Sequence, residues 1–194
     1  MHVGLNYNLI KKFMSEIVEK IIRLLEEHGD SQYGGEAVSQ KEHALQAAHL
    51  AMENGEQANI VVAGLLHDIG HLLHHLPDDA PEHGVDDFHE ELANDFLKLH
   101  FTDEVVEPVR LHVAAKRYLC QIDPQYLGLL SEPSIISLGL QGGPMTVEEC
   151  VEFEQNPFYK DAVILRKYDD LAKIPNLEVK PVAFYAPYLA SFTL

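Results

Sequence analysis

VVAGLLHDIGHLLHH, residues 61–75, is the stretch on which the fold turns. Its apolar residues are those of a buried helix, expected over about 57–75. Yet His67 and Asp68 stand side by side within it, and His71 follows four residues on. An uncompensated buried charge is expensive, so this pair demands a metal ion, a hydrogen-bond network or a water-filled cleft. Neighbours on a helix diverge by about 100°. The two side chains therefore share a site only if the helix edge faces a cleft.

Working outward, Ile10, Phe13, Ile17, Ile21 and Leu24 predict an amphipathic helix over 8–28. DSQYGGEAVSQ (30–40) reads as a loop, and a helix follows over about 40–53 with Ala44, Leu45, Ala48 and Ala51 inward. Prolines and acids make 76–87 a surface loop, and helices are expected at 88–100 and 103–118. Beyond these, Pro124, Pro133 and QGGPMT (141–146) interrupt the chain. Thr146 with Glu149 forms a capping-box pattern opening a helix to about 154, and a short helix should span 157–171. The aromatic tail from Pro175 is expected to be irregular, packed on the outside or on a second subunit; a homodimer is one reading of it. No strand pattern appears, so the class is all-α, with one domain over 1–194.

The chain is 46% hydrophobic and 23% charged, ordinary for a globular protein. It has no apolar run of membrane-span length and no leader-like N-terminus, so a cytoplasmic protein with Cys120 and Cys150 reduced is expected. A net charge of −17 argues against a nucleic-acid partner. An anionic ligand would need a local positive site in so acidic a protein.

Twelve histidines accompany that charge. His43 sits among small apolar residues in HALQAAHL, with His49 on a different face. His89 opens the helix of FHEELANDF, on a face bracketed by Leu92 and Phe96, with Glu90 and Glu91 as competing donors. His112 lies in RLHVAAKRYL, and Asp169 in LRKYDDLAK beside Asp170. With His67 and Asp68 these make six nitrogen and oxygen donors and no thiolate, a set suited to iron, manganese or zinc. Six are too many for one catalytic metal with an open position, and suit two metals bridged by a carboxylate.

The pattern His43, His67–Asp68, Asp169 resembles the HD-domain superfamily of metal-dependent enzymes, and HDIGH is a common form of its second motif. His89 and His112 match its two-metal subset. More narrowly, YGGEAVSQKEHALQ, LLHDIGH, FHEELANDFL, HVAAKRYL, LQGGPM and ILRKYDD, spread over 33–170, resemble the mixed-valence diiron oxygenases that degrade organophosphonates. Those are the 2-amino-1-hydroxyethylphosphonate oxygenases and their relatives.

The resemblance implies an HD-domain helical bundle. It implies one iron on His43, His67, Asp68 and Asp169, and another on His89, His112 and the shared Asp68, as an Fe(II)/Fe(III) pair with O2 as co-substrate. The substrate would be a small anionic or zwitterionic 1-hydroxyalkylphosphonate, cleaved at its C–P bond to phosphate and a carboxylate such as glycine or glycine betaine. Lys116, four after His112, and His71, four after His67, share faces with metal ligands and can present charge to a phosphonate. Arg166, three before Asp169, could make a forked contact. The resemblance adds Ser134 as a hydroxyl contact, Glu36 as partner of a substrate ammonium, and Tyr33 as a group that holds an iron position until substrate arrives. Gly34 and Gly35 would let that loop move. The same residues could serve a metal-dependent phosphohydrolase, polyol oxygenation or a non-catalytic iron sensor. The substituent on the phosphonate stays open between ammonium, trimethylammonium and none.

Overall fold

Val18, Ile21, Ile22 and Leu25 recur at helical spacing and form the buried stripe of α1 (Glu16–His28). The computed structural model describes residues 15–73, 84 and 87–194. Positions 8–14 of the first expected helix, and the expected loop over 76–87 apart from Gly84 and Asp87, lie outside the described residues. α2 (Gln40–Glu53) opens on a reciprocal capping box: the Ser39 hydroxyl accepts from the Glu42 amide, and the Glu42 carboxylate accepts from the Ser39 amide at 2.7 Å. α3 (Ala58–Leu66) is apolar apart from Asn59 and is buried from Asn59 onward. There follow α4 (His89–Leu97), α5 (Asp103–Ile122), α6 (Glu132–Leu140), α7 (Val147–Phe153), α8 (Tyr159–Leu171) and α9 (Ala186–Ser191). Short 3-10 turns lie at Ile69–Leu72, Tyr126–Leu129 and Val182–Tyr185. The described residues form no strand beyond two isolated bridges. The fold is all-α, as the sequence predicts.

α5 is the spine, packed against α3, α4 and α8, while α2 packs on α3 and α8. One core joins α1, α3, α4 and α8 to the first half of α5. A second joins the other half of α5 to α7, around Tyr118, Tyr126, Met145 and Phe153. No helix of the described residues is long and apolar enough to cross a membrane. Cys120 and Cys150 are free thiols.

Several boundaries differ from the sequence reading. The helix expected over 57–75 ends at Leu66, and Asp68 (φ −103°, ψ 14°) leads into a 3-10 turn. In α4, Leu92 is 36% exposed rather than inward, and the buried stripe is His89, Ala93 and Leu97, because side chains four apart stack most directly. α5 continues four residues past 118. The expected break at Pro133 is instead the start of α6, where proline in the first turn forfeits no helical hydrogen bond. The tail is not peripheral: Tyr185 and Leu189 are fully buried in the first core, and Leu194 N–H donates to the His100 carbonyl. Its prolines stop helix only locally, and the aromatic and aliphatic side chains between them supply the driving force for docking.

Candidate metal centre

The break after Leu66 answers the His67–Asp68 problem. His67 still has helical backbone and Asp68 does not, so the chain turns between them and both side chains enter the same space. The 3-10 turn then packs against the start of α4. A Cβ on Gly70 would stand 1.9 Å from the His89 carbonyl oxygen, so only glycine permits this approach. Phe88, just before His89, takes left-handed backbone (φ 49°) to swing the histidine inward.

Four imidazoles are held the same way. Nδ1 of His43 donates to the Ala172 carbonyl at 2.8 Å, His67 to Gly64 at 2.8 Å, and His112 to Val109 at 2.6 Å. A carbonyl oxygen only accepts, so each Nδ1 carries the proton and each Nε2 is left with a lone pair. His89 Nδ1 is held by the Asp87 carboxylate at 2.9 Å. The Nε2 atoms then meet in pairs, His43 with His67 at 3.0 Å and His89 with His112 at 3.2 Å.

Asp68 lies between the pairs. Its Oδ2 is 3.4 Å from His43 Nε2 and 3.2 Å from His67 Nε2. Its Oδ1 is 3.5 Å from His89 Nε2 and 3.4 Å from His112 Nε2. Asp169 adds Oδ1 to the first pair, 3.4 Å from His43 and 3.8 Å from His67. Converging lone pairs repel unless a cation lies among them. Donors about 2.1 Å from a metal and at right angles stand about 3.0 Å apart, so this spacing fits two metal ions sharing Asp68. Asp68 Oδ2, buried and without a hydrogen bond, fits the same reading. His71 also presents an atom within 4.8 Å of Asp68 and His89. Its ring stacks on His89 at 4.1 Å, and its Nδ1 is bound to Asp87 at 2.6 Å, so it flanks the second pair.

Burial opposes charge on His67, but the Asp68 carboxylate outweighs it and raises the imidazole to about 9, so a metal ion at Nε2 would have to take the place of a proton there. Against the same burial, the His67 charge holds Asp68 well below the usual carboxylate range. Burial and the neighbouring His71 push His89 down to about 4, which keeps it neutral and fit to ligate.

A cavity of about 660 Å³, a size suited to a small molecule, opens onto Asp68, Asp169 and the His89–His112 pair. Tyr33, Glu36, His71, Lys116, Ser134 and Arg166 all line it. Tyr33 stacks on His43 and points its hydroxyl at Asp169 Oδ1, 3.4 Å away. Burial, then the Asp169 charge, raise its phenol well above the usual value. Lys116 is 3% exposed and donates to Ser137 Oγ at 2.8 Å. Burial, then Arg166, lower its ammonium to about 7. Arg166 directs Nη1 to Asp169 at 2.7 Å, Nη2 to Asp170, and Nε to the Tyr126 hydroxyl. The fork expected for a phosphonate is therefore made to protein carboxylates, and Asp170 serves this pairing while Asp169 faces the histidines.

Three residues escaped the sequence reading. Asp87 orients both His71 and His89; its position two before His89 was the available signal. Ser137 holds Lys116, and nothing in the sequence marks it. Lys173 binds Glu36 Oε1 at 2.8 Å and the hydroxyls of Ser131 and Ser134 at 3.0 Å. It stands four after Asp169, the same spacing that relates Lys116 to His112.

The HD domain family matches residues 41–151. The [1-hydroxy-2-(trimethylamino)ethyl]phosphonate dioxygenase (glycine-betaine-forming) of Leisingera caerulea is 43% identical over 171 residues, covering 88% of this chain and 87% of its own. The hydroxymethylphosphonate dioxygenase of Gimesia maris is 44% identical over 177 residues, covering 91% and 88%. An uncharacterized protein of Acanthamoeba polyphaga mimivirus is 39% identical over 182 residues, covering 92% and 83%. The chain belongs to the HD domain family, in the branch that holds these relatives.

Proposed function

We propose that the protein is a two-iron oxygenase that cleaves the C–P bond of a small 1-hydroxyalkylphosphonate. The observation that carries this reading is the placement of Asp68 between two histidine pairs, at the floor of a cavity that also holds a buried lysine. The phosphonate dioxygenases at 43% and 44% identity support it over a hydrolase.

His43, His67, Asp68 and Asp169 would hold one metal, and His89, His112 and Asp68 the other. Bound irons, as an Fe(II)/Fe(III) pair, would supply Lewis-acid binding of the substrate oxygens and redox activation of O2. The protein does the rest. Lys116 keeps N–H groups beyond the one given to Ser137 and offers them to a phosphonate oxygen. His71, fixed by Asp87, adds a second donor at the same wall. Arg166 holds Asp169 in place and adds positive charge behind it. The Tyr33 ring caps the first histidine pair and must shift for substrate to approach; Gly34 and Gly35, both with positive φ, form its hinge. In the overall change the carbinol carbon gives up four electrons to one O2, the C–P bond breaks, and phosphate, a carboxylate and a proton leave.

The test is anaerobic loading with iron, followed by hydroxymethylphosphonate or its 2-amino- and 2-trimethylammonio-ethyl counterparts, with phosphate assayed with and without O2. Phosphate that requires O2 is the expected result. Turnover of a phosphomonoester without O2, and none of the phosphonates, would move the chain to the phosphohydrolases.

A further inference from the structure

Lys173 is the cation in the cavity that the proposed chemistry leaves without a task. Its ammonium has three N–H groups and three acceptors: Glu36 Oε1 at 2.8 Å, Ser131 Oγ at 3.0 Å and Ser134 Oγ at 3.0 Å. It also lies 5.7 Å from the centre of the Tyr33 ring. Lys173 therefore has no donor to spare for a phosphonate. Lys116 differs, with a single hydrogen bond to Ser137 among the described residues.

The cavity carboxylates are similarly sorted. Asp68 and Asp169 face the histidine pairs, Asp87 holds two histidines, and Glu132 is exposed at the rim. Glu36 is the carboxylate placed to receive a cationic end of a substrate, and its side chain is only 15% exposed. Lys173, at 13% exposure, already occupies it. Tyr33 is the aromatic face a quaternary ammonium would use, and the same lysine stands over it.

We propose that Lys173 is the specificity determinant of the cavity: an internal ammonium that fills the cation subsite of Glu36 and Tyr33 and biases the protein toward phosphonates with no cationic group. The inference rests on the phosphonate reading of the site. A cationic substrate would have to displace Lys173 from three hydrogen bonds or be repelled by it. A hydroxymethylphosphonate reaches Lys116 and the metal centre without disturbing it.

The test combines binding with turnover. Affinities of the iron-loaded protein for methylphosphonate and 2-aminoethylphosphonate, neither carrying the reacting hydroxyl, are compared in the natural chain, in Lys173→Met and in Lys173→Arg. The natural chain and Lys173→Arg should prefer methylphosphonate. Lys173→Met should shift the ratio toward 2-aminoethylphosphonate by roughly tenfold or more, because it leaves Glu36 unpaired for the ligand. The kcat/KM ratio of 2-amino-1-hydroxyethylphosphonate to hydroxymethylphosphonate should move the same way. A natural chain that prefers the amine, or a Lys173→Met ratio unchanged within about twofold, overturns the proposal. Absence of phosphate from every hydroxyphosphonate would instead sink the reaction, while the binding ratio would still decide the role of Lys173.

Discussion

The phenol ring of Tyr33 lies flat on the imidazole of His43, with centroids 3.8 Å apart and planes 13° apart. The stack fixes the phenol over the first histidine pair and aims its hydroxyl at Asp169. Tyr33→Phe keeps the ring and removes the hydroxyl. The variant should bind metal as the natural chain does but lose activity severalfold faster when held in air without substrate. Equal inactivation rates would mean that the hydroxyl protects nothing.

Asp68 is the group both pairs share. Asp68→Asn keeps the shape and removes the charge, leaving each histidine pair with less negative partnership. Metal content after anaerobic loading and gel filtration should fall from about two per chain to one or fewer, with activity down at least a thousandfold, or about 4 kcal/mol in the barrier. Two tightly bound metals in this variant would refute the bridging role.

Gly70 decides where His89 stands. Gly70→Ala places a methyl group inside the His89 carbonyl, a contact that moves the backbone of one element or the other. The His89–His112 pair should be disturbed first, so metal content should drop toward one per chain while the His43–His67 pair keeps its ion. Metal analysis with a urea titration separates this from general unfolding.

Lys116 gives the site a pH dependence. Burial, then Arg166, bring its ammonium to about 7, so it is charged below that pH and neutral above it. Phosphonate binding should weaken as pH rises through 7, by up to about tenfold per unit. Lys116→Arg keeps the charge and should flatten that slope. Lys116→Met should raise KM by about ten- to a hundredfold, the range expected for a charge-assisted hydrogen bond. For stability the sign is opposite. Between about 7 and the ordinary lysine value the unfolded chain binds the extra proton, so stability rises with pH across that window.

Leu189 reports on the tail. It is fully buried against the first core, so Leu189→Ala should cost about 2–5 kcal/mol in urea unfolding. A change near zero would return the tail to the periphery, where its prolines had suggested it lay.

What the sequence determined by itself was the all-α class, most helix positions and the identities of the six metal-ligand candidates. Helical periodicity, capping residues and histidine context are local properties, legible in short windows. Even so, Pro133 and the tail prolines misled, because a proline excludes helix before it and not after it. The tertiary structure decided what depends on distance between elements. It ended α3 at Leu66 so that His67 and Asp68 could enter one space, and it turned Asp169 Oδ1 toward the His43–His67 pair while Asp170 meets Arg166 and Tyr126. It also brought Lys173 across 137 positions to Glu36. No spacing rule reaches that far: whether a lysine meets a solvent shell or a buried carboxylate is settled by which helix end packs beside which loop.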